Sequence, residues 1–253
     1  MYSRLKNDLA VPGQDTYWSG RMTFSDFYFG IDGDSVAKFT CPGNGPNFYI
    51  GKLGAETTPG GGTAWSPACA SLATPPYTHS YWDVAGPDGR TGSTAVAWGE
   101  AQANEFYKTW KADSSVKGST LFGDIEPTNG GWLTDIGSNR AVIAAFLNTI
   151  NNKGDATAGA YVTQTNWNDY FGSTWTSTAA FVLWLADSFC SIDTCVKAED
   201  YFNSTITNIS LGGYKTMLWQ YNINTCGGSA NNSDLDITPY KGYESGSWNP
   251  TLA

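Results

Sequence analysis

Basic side chains are scarce in this sequence: 14 Lys plus Arg stand against 23 Asp plus Glu, with a single histidine, for a formal charge of -9. Neutralising phosphates needs clustered cations, so nucleic acid is not expected as a partner, and an anionic membrane surface is disfavoured for the same reason. Long apolar runs are missing too. The longest, AAFVLWLA at 179–186, is far short of the about 20 residues that a membrane-spanning helix needs, so no membrane insertion is expected. The opening MYSRLKNDLAVPGQ lacks the apolar centre of a signal peptide, which predicts a mature or trimmed form, or a chain that reaches its target by another route. No CxxC occurs, and five cysteines with one histidine make a poor metal-ligand inventory, so neither a metal nor another cofactor is expected. There is no Gly-x-Ser-x-Gly elbow, and His79 alone could serve as the base of a serine or cysteine nucleophile. His79 reads instead as a hydrogen-bonded structural histidine. The Gly60-Gly61-Gly62 run lacks the Lys-Ser/Thr of a phosphate loop, and no dinucleotide fingerprint follows any strand candidate.

Aromatic residues are plentiful, 15% of the chain with 11 Trp and 14 Tyr, while charged residues are also only 15%. That balance belongs to a weakly charged globular chain with a large core. At 253 residues it suits one domain; 1–253 is read as a single unit with its core at about 26–238, and as a monomer. Cys41 with Cys69, and Cys190 with Cys195, could each staple a loop in an oxidising compartment, leaving one thiol over. Asn-x-Ser/Thr triplets at Asn203, Asn208 and Asn231 are compatible with secretion.

Short apolar runs alternate with turn-rich loops and with helical patterns, the texture of an α/β fold. Strand candidates are DFYFGID at 26–32, NFYIGKLG at 47–54, THSYWDVAG at 78–86, STLFGDIE at 119–126, AGAYVT at 158–163, AAFVLWLA at 179–186, TMLWQYN at 216–222 and LDIT at 235–238. Val96, Ala103, Phe106, Tyr107 and Trp110 predict an amphipathic helix over 95–110. A second follows from Val142, Ile143, Phe146, Leu147 and Ile150, with Ser138 as N-cap and Gly154 beyond its end. The segment 57–76 reads as a long irregular loop, and the tail from Tyr240 as peripheral. About eight strands with helices concentrated in the middle predict a modified (β/α) barrel of TIM type, with fewer helices in the C-terminal third.

The chemistry is expected in LFGDIEP. Side chains alternate along a strand, so Asp124 and Glu126 project to one side, about 7 Å apart along the backbone, where Pro127 ends the ladder. In barrels the reacting groups gather at this end of the strands. Two carboxyls so placed can divide their roles, one held protonated by burial and a charged neighbour as general acid, the other ionised. An arbitrary Asp-x-Glu more often caps a loop; its place at the end of an apolar strand is what favours chemistry. Asp32 ends its strand in the same way, and Asp234 and Asp236 lie at the final strand. Trp82, Trp184, Trp219 and Tyr221 lie within strand candidates, and Tyr161 near the end of one. Such rings offer flat platforms for sugars, and they fill cores equally well.

The order of motifs resembles the glycoside hydrolase family 25 lysozymes and the related actinobacterial glycoside-hydrolase-like domains. It is carried by FGID at 29–32, SYWDVAGP at 80–87 with GEAQANEFY at 99–107, GDIE at 123–126, GAYVT at 159–163, LWLA at 183–186, WQYN at 219–222 and SDLDIT at 233–238. The resemblance implies a modified α/β barrel that cleaves the β-1,4 bonds of peptidoglycan as a muramidase, outside the cell, at the cell wall, or as a phage product. It implies Glu126 as general acid, with Asp124 either stabilising positive charge at the anomeric carbon or orienting the substrate's acetamido group. Asp32 and Asp234 match family aspartates that either orient Glu126 or bind sugar, and Tyr81 lies on the strand that lines a subsite. The pattern departs where the family's Tyr-His-Phe is replaced by Tyr81, Trp82 and Asp83. A non-catalytic carbohydrate-binding barrel in a cell-surface or phage assembly, or a hydrolase of another glycan such as chitin, is the alternative reading.

Overall fold

The computed structural model describes residues 28–33, 48–55, 78–113, 118–132, 134–187, 195–222 and 234–238. The 57–76 loop, Cys41, Cys69, Cys190, Cys226, Asn231 and the tail from Tyr240 lie outside the described residues, and with them both cysteine pairings read from the sequence.

Nine strands are described: β1 (Tyr28–Gly33), β2 (Phe48–Ala55), β3 (Thr78–Asp83), β4 (Thr120–Asp124), β5 (Thr157–Val162), β6 (Val182–Leu185), β7 (Ser210–Leu211), β8 (Tyr214–Asn222) and β9 (Asp234–Thr238). Four α-helices accompany them: α1 (Gly92–Ala112), α2 (Ile136–Asn151), α3 (Gln164–Phe171) and α4 (Cys195–Ser204). The fold is mixed α/β with a mostly parallel central sheet of eight strands, β1 to β6 with β8 and β9, to which the two-residue β7 adds an antiparallel arm on β8. Neighbours follow chain order from β1 to β6 in parallel, and β6 pairs in parallel with β8 as well. β9 departs from a regular barrel, running antiparallel to both β1 and β8.

Alternation along these strands sorts the side chains onto two faces. On one, Leu121, Ile125, Ala158, Ala160, Val162, Leu183, Leu185 and Ile237 join the apolar stripes of the helices in the larger buried cluster. On the other, Phe48, Ile50, Tyr81, Phe122, Val182, Trp184 and Leu218 form a second cluster to which no helix contributes. Gly159 belongs to this helix-free face, and a Cβ there would lie 2.3 Å from the Phe122 ring. The missing side chain is what lets Phe122 fill that layer.

Both predicted helices are present. α1 is longer than its periodic core, starting at Gly92 after the N-cap Thr91, whose N–H donates to Thr94 Oγ1 at 3.1 Å. It packs closely on α2 at Gly99, where a Cβ would lie 2.2 Å from the Val142 carbonyl oxygen. α2 begins earlier than expected. Its N-cap is Asp135, whose carboxylate accepts from Gly137 N at 3.0 Å and from Ser138 Oγ at 2.6 Å, so Ser138 is inside the first turn as a donor rather than the cap. α3 and α4 were not legible as helices, because 8 and 10 residues give too few turns for a period to show. The signals at α3 are its ends, where Thr163 Oγ1 accepts from Asn166 N at 3.0 Å and Gly172 follows with φ of 79°.

The loops leaving β3 and β4 are tied to each other and to α1. Gln102 of α1 exchanges two bonds with Ala85, accepting from its N–H at 2.9 Å and donating to its carbonyl at 3.1 Å. Gly86 N donates to Gly130 O at 3.0 Å and Asp88 N to Gly131 O at 2.9 Å. The strand ends that bear Asp83 and Asp124 are therefore fixed by backbone bonds on both sides. Among the described residues no helix is long and apolar enough to cross a membrane.

Candidate active site

The helix-free face changes character along its strands. Phe122 gives way two residues later to Asp124 and then, beyond the strand, to Glu126; Tyr81 to Asp83; Ile50 to Lys52. An apolar layer thus supports a polar one at the carboxyl ends of β2, β3 and β4, the consequence of a period of two running through LFGDIE and SYWD. β1 and β9 add Asp32 opposite Asp234 in register, with Asp236 opposite Gly30.

Gln220 of β8 joins these elements. It is 1% exposed, its Oε1 accepts from Tyr161 Oη at 2.8 Å, and its Nε2 donates to Asp32 at 3.1 and 3.3 Å and to Asp234 at 3.3 Å. Below it, Trp184 Nε1 donates to Asp236 Oδ1 at 2.9 Å. Asp236 is fully buried and its Oδ2 accepts no hydrogen bond from a described donor; Asp124 Oδ1 is likewise buried without one.

Burial and mutual repulsion push these carboxyls towards their protonated forms. Asp124 is held well above the usual range by burial and then by Glu126 and Asp83, against the pull of Lys52. Asp32 is raised by burial and Asp234, with Gln220 acting the other way. Asp236 is raised by burial and by Asp32 and Asp234. Glu126, the most accessible of the group, is raised by burial, then lowered by the Thr128 hydroxyl that donates to Oε2 at 3.3 Å, and raised again by Asp83 and Asp234. Lys52 answers this negative cluster through its 2.5 Å ion pair with Asp83. Tyr161 is held well above its usual value by burial and by Asp32, Asp124, Glu126 and Asp234, so it stays a neutral donor.

The loop after β4 keeps Glu126 in place. Pro127 starts a 3-10 turn over Pro127–Asn129 with Glu126 as its N-cap, and Asn129 Nδ2 donates back to the Asp124 carbonyl at 2.7 Å. What the arrangement can do chemically is raise the proton affinity of Glu126 and of Asp124 beside it in a strongly negative site, the electrostatics that favour general acid catalysis.

The four carboxylates named from the sequence, Asp32, Asp124, Glu126 and Asp234, are thus brought together. The aromatic residues divide. Tyr81, Tyr161 and Trp184 lie on the carboxylate face, Trp184 meeting Tyr161 edge-on at 4.5 Å and Tyr81 at 6.4 Å. Trp82, Trp219 and Tyr221 lie on the other face in the core beneath the helices: Trp82 packs on Phe106 of α1, and Trp219 stacks on Tyr201 of α4 and donates to the Asp187 carbonyl at 2.6 Å. Odd positions of one strand cannot share a face with even ones, and this parity corrects the expectation that all six surround one site. His79 is fully buried and held neutral, its pKa lowered to about 3 by burial. Gln220 and Lys52 were not singled out in the sequence, and Asp83 only as a departure from the family's pattern. The signal was parity, since each lies two residues from an apolar residue of the same face, at Leu218, Tyr81 and Ile50.

No protein-family model matches the sequence, and no curated protein does so either. Among solved structures, a family GH25 lysozyme from Aspergillus fumigatus superposes with a TM-score of 0.57 at 18% identity, covering 87% of this chain and 97% of the lysozyme. The spore cortex lytic enzyme SleM of Clostridium perfringens gives 0.60 at 13% identity over 87% of this chain and 70% of its own. The modular autolysin LytC of Streptococcus pneumoniae, solved with a synthetic peptidoglycan ligand, gives 0.50 at 12% identity over 85% of this chain and 47% of its own. The chain has a GH25 lysozyme-like fold.

Proposed function

We propose that the protein is a glycoside hydrolase that cleaves β-1,4 bonds of peptidoglycan, with Glu126 as general acid and Asp124 assisting. The observation that carries the reading is the convergence of Asp32, Asp124, Glu126 and Asp234 on one face of the sheet, with Gln220 and Tyr161 bonded among them. The lytic activity in the names of the similar structures supports the choice of substrate. In this reading the sheet is a modified barrel, which the β6–β8 pairing supports, the chain is one domain, and it acts on cell walls from outside the cell or as a phage product.

Glu126 gives its proton to the glycosidic oxygen as the C1–O bond breaks. The positive charge that develops at C1 is met by an acetamido oxygen of the substrate that Asp124 orients; water then adds at C1 and returns a proton to Glu126. Asp234, tied to Asp32 through Gln220, supplies negative potential that favours the proton on Glu126 and the cationic transition state. Tyr161, half-buried beside the carboxylates, is the ring on that face against which a sugar would lie, while Tyr81 and Trp184, 7% and 1% exposed, support the carboxylates from beneath.

Glu126→Gln tests the assignment. The variant is expected to keep its fold and its affinity for purified sacculi while releasing reducing ends at least about a hundredfold more slowly, the usual worth of a general acid. Release at the parental rate would refute Glu126 as the acid. Release from chitin and not from peptidoglycan, by the parent, would refute the substrate.

A further inference from the structure

The carboxylates at this site are counterbalanced by one ion pair, and its position is informative. Asp83 is the register partner of Asp124 across the β3–β4 ladder. Lys52 comes from β2, at a point where the ladder to β3 slips: Lys52 pairs Tyr81, but Gly54 already pairs Trp82. Alternation from Ile50 has already put Lys52 on the carboxylate face before the slip, with its ammonium 2.5 Å from Asp83 Oδ2. Both side chains are mostly withdrawn from water, at 22% and 16% exposure, so their fields are only partly screened. Each acts on Asp124 and Glu126, Asp83 favouring their protons and Lys52 opposing them.

The geometry points to Lys52 and Asp83 as a positioning pair that sets the charge state of Glu126, without either residue giving or taking a proton in the reaction. This rests on the reading of Glu126 as the acid. The pair is a dipole laid across two strands with its negative end beside Asp124. A lone Asp83 would add repulsion to a site already crowded with carboxylates, and a lone Lys52 would draw the proton off Glu126. The other described groups that face Glu126 are Asp32 of β1, Asp124 of β4, Tyr161 of β5, Tyr170 of α3 and Asp234 of β9. Tyr161 and Tyr170 are neutral, so among the described residues the pair is where a positive charge enters the balance.

The test is a set of variants read by two methods. In the parent, kcat/KM should fall with rising pH as Glu126 loses its proton. Asp83→Asn should move that alkaline limb down by about one pH unit, and Lys52→Met should move it up by a similar amount, from unit charges several ångströms away at an intermediate effective dielectric. Asp83→Asn with Lys52→Met together should return it close to the parent, and Lys52→Arg, which keeps the charge, should leave it in place. Carbon-13 NMR titration of the Glu126 carboxyl in the same proteins should show the same ordered displacements. If the variants only lower kcat or stability while limb and titration stay put, the pair is a structural brace and the inference falls. If the NMR titration shifts but the limb does not, the inference stands and Glu126 is not the acid.

Discussion

Replacing Gln220 by leucine would test whether the carboxylate cluster is held together as its hydrogen bonds indicate. Gln220 is 1% exposed, and leucine is close to it in volume, so little cavity or overpacking is introduced. The variant loses the bond from Tyr161 Oη at 2.8 Å, a neutral contact of about 0.5–1.5 kcal/mol, and the Nε2 donations to Asp32 and Asp234, of about 1.5–3 kcal/mol for a donor to charged groups. The latter bonds are long, at 3.1 to 3.3 Å, which favours the lower figure. A loss of about 2–4 kcal/mol is therefore expected near pH 7.

The loss should depend on pH with a definite sign. Asp32 is raised by burial and Asp234 while Gln220 holds it down, so removing Gln220 raises it further. A carboxyl raised on folding contributes stability that is fully present below its unfolded pKa and is lost as pH rises through the folded one. The variant's deficit should be largest near neutrality and shrink towards about pH 3, where Asp32 is mostly protonated in folded and unfolded chains alike. Urea unfolding midpoints and slopes across that range would measure it. A deficit below about 0.5 kcal/mol, the usual scatter of surface substitutions, or one that stays constant with pH, would refute the argument.

Asp236→Asn should raise the melting temperature near pH 7, because Asp236 is raised by burial and its neighbours Asp32 and Asp234, and asparagine can still accept from Trp184; the gain should vanish near about pH 3, below the unfolded pKa of aspartate, and a gain that persists there would count against it. Gly159→Ala should destabilise by about 1–3 kcal/mol through overpacking, since the new Cβ would fall 2.3 Å from the Phe122 ring; unchanged denaturation would show that the ring has room to move.

Much of this molecule was readable in its chain. The strand candidates rested on β-branched and aromatic residues between turns, and eight of the nine strands fall on them, because that chemistry is local. The two long helices were found for the same reason, and α3 and α4 were missed because 8 and 10 residues carry too little period to register. Asp124 and Glu126 were legible as a pair because two residues of one strand share a face whatever surrounds them. Asp32 and Asp234 were legible as candidates from their places at strand ends, and their roles only through the order of motifs.

What the sequence by itself determined, then, is the parity within each strand: Asp124 with Phe122, Trp184 with Val182, Gln220 with Leu218. It could not say which parity faces the helices. That was decided by packing, where Trp219 and Tyr221 meet the helix stripes and Gln220 between them turns to Asp32. Alternation leaves the sign of a face undefined until another element covers one side. The same limit hid the Lys52–Asp83 pair, which forms between side chains of two different strands and is specified by neither strand alone.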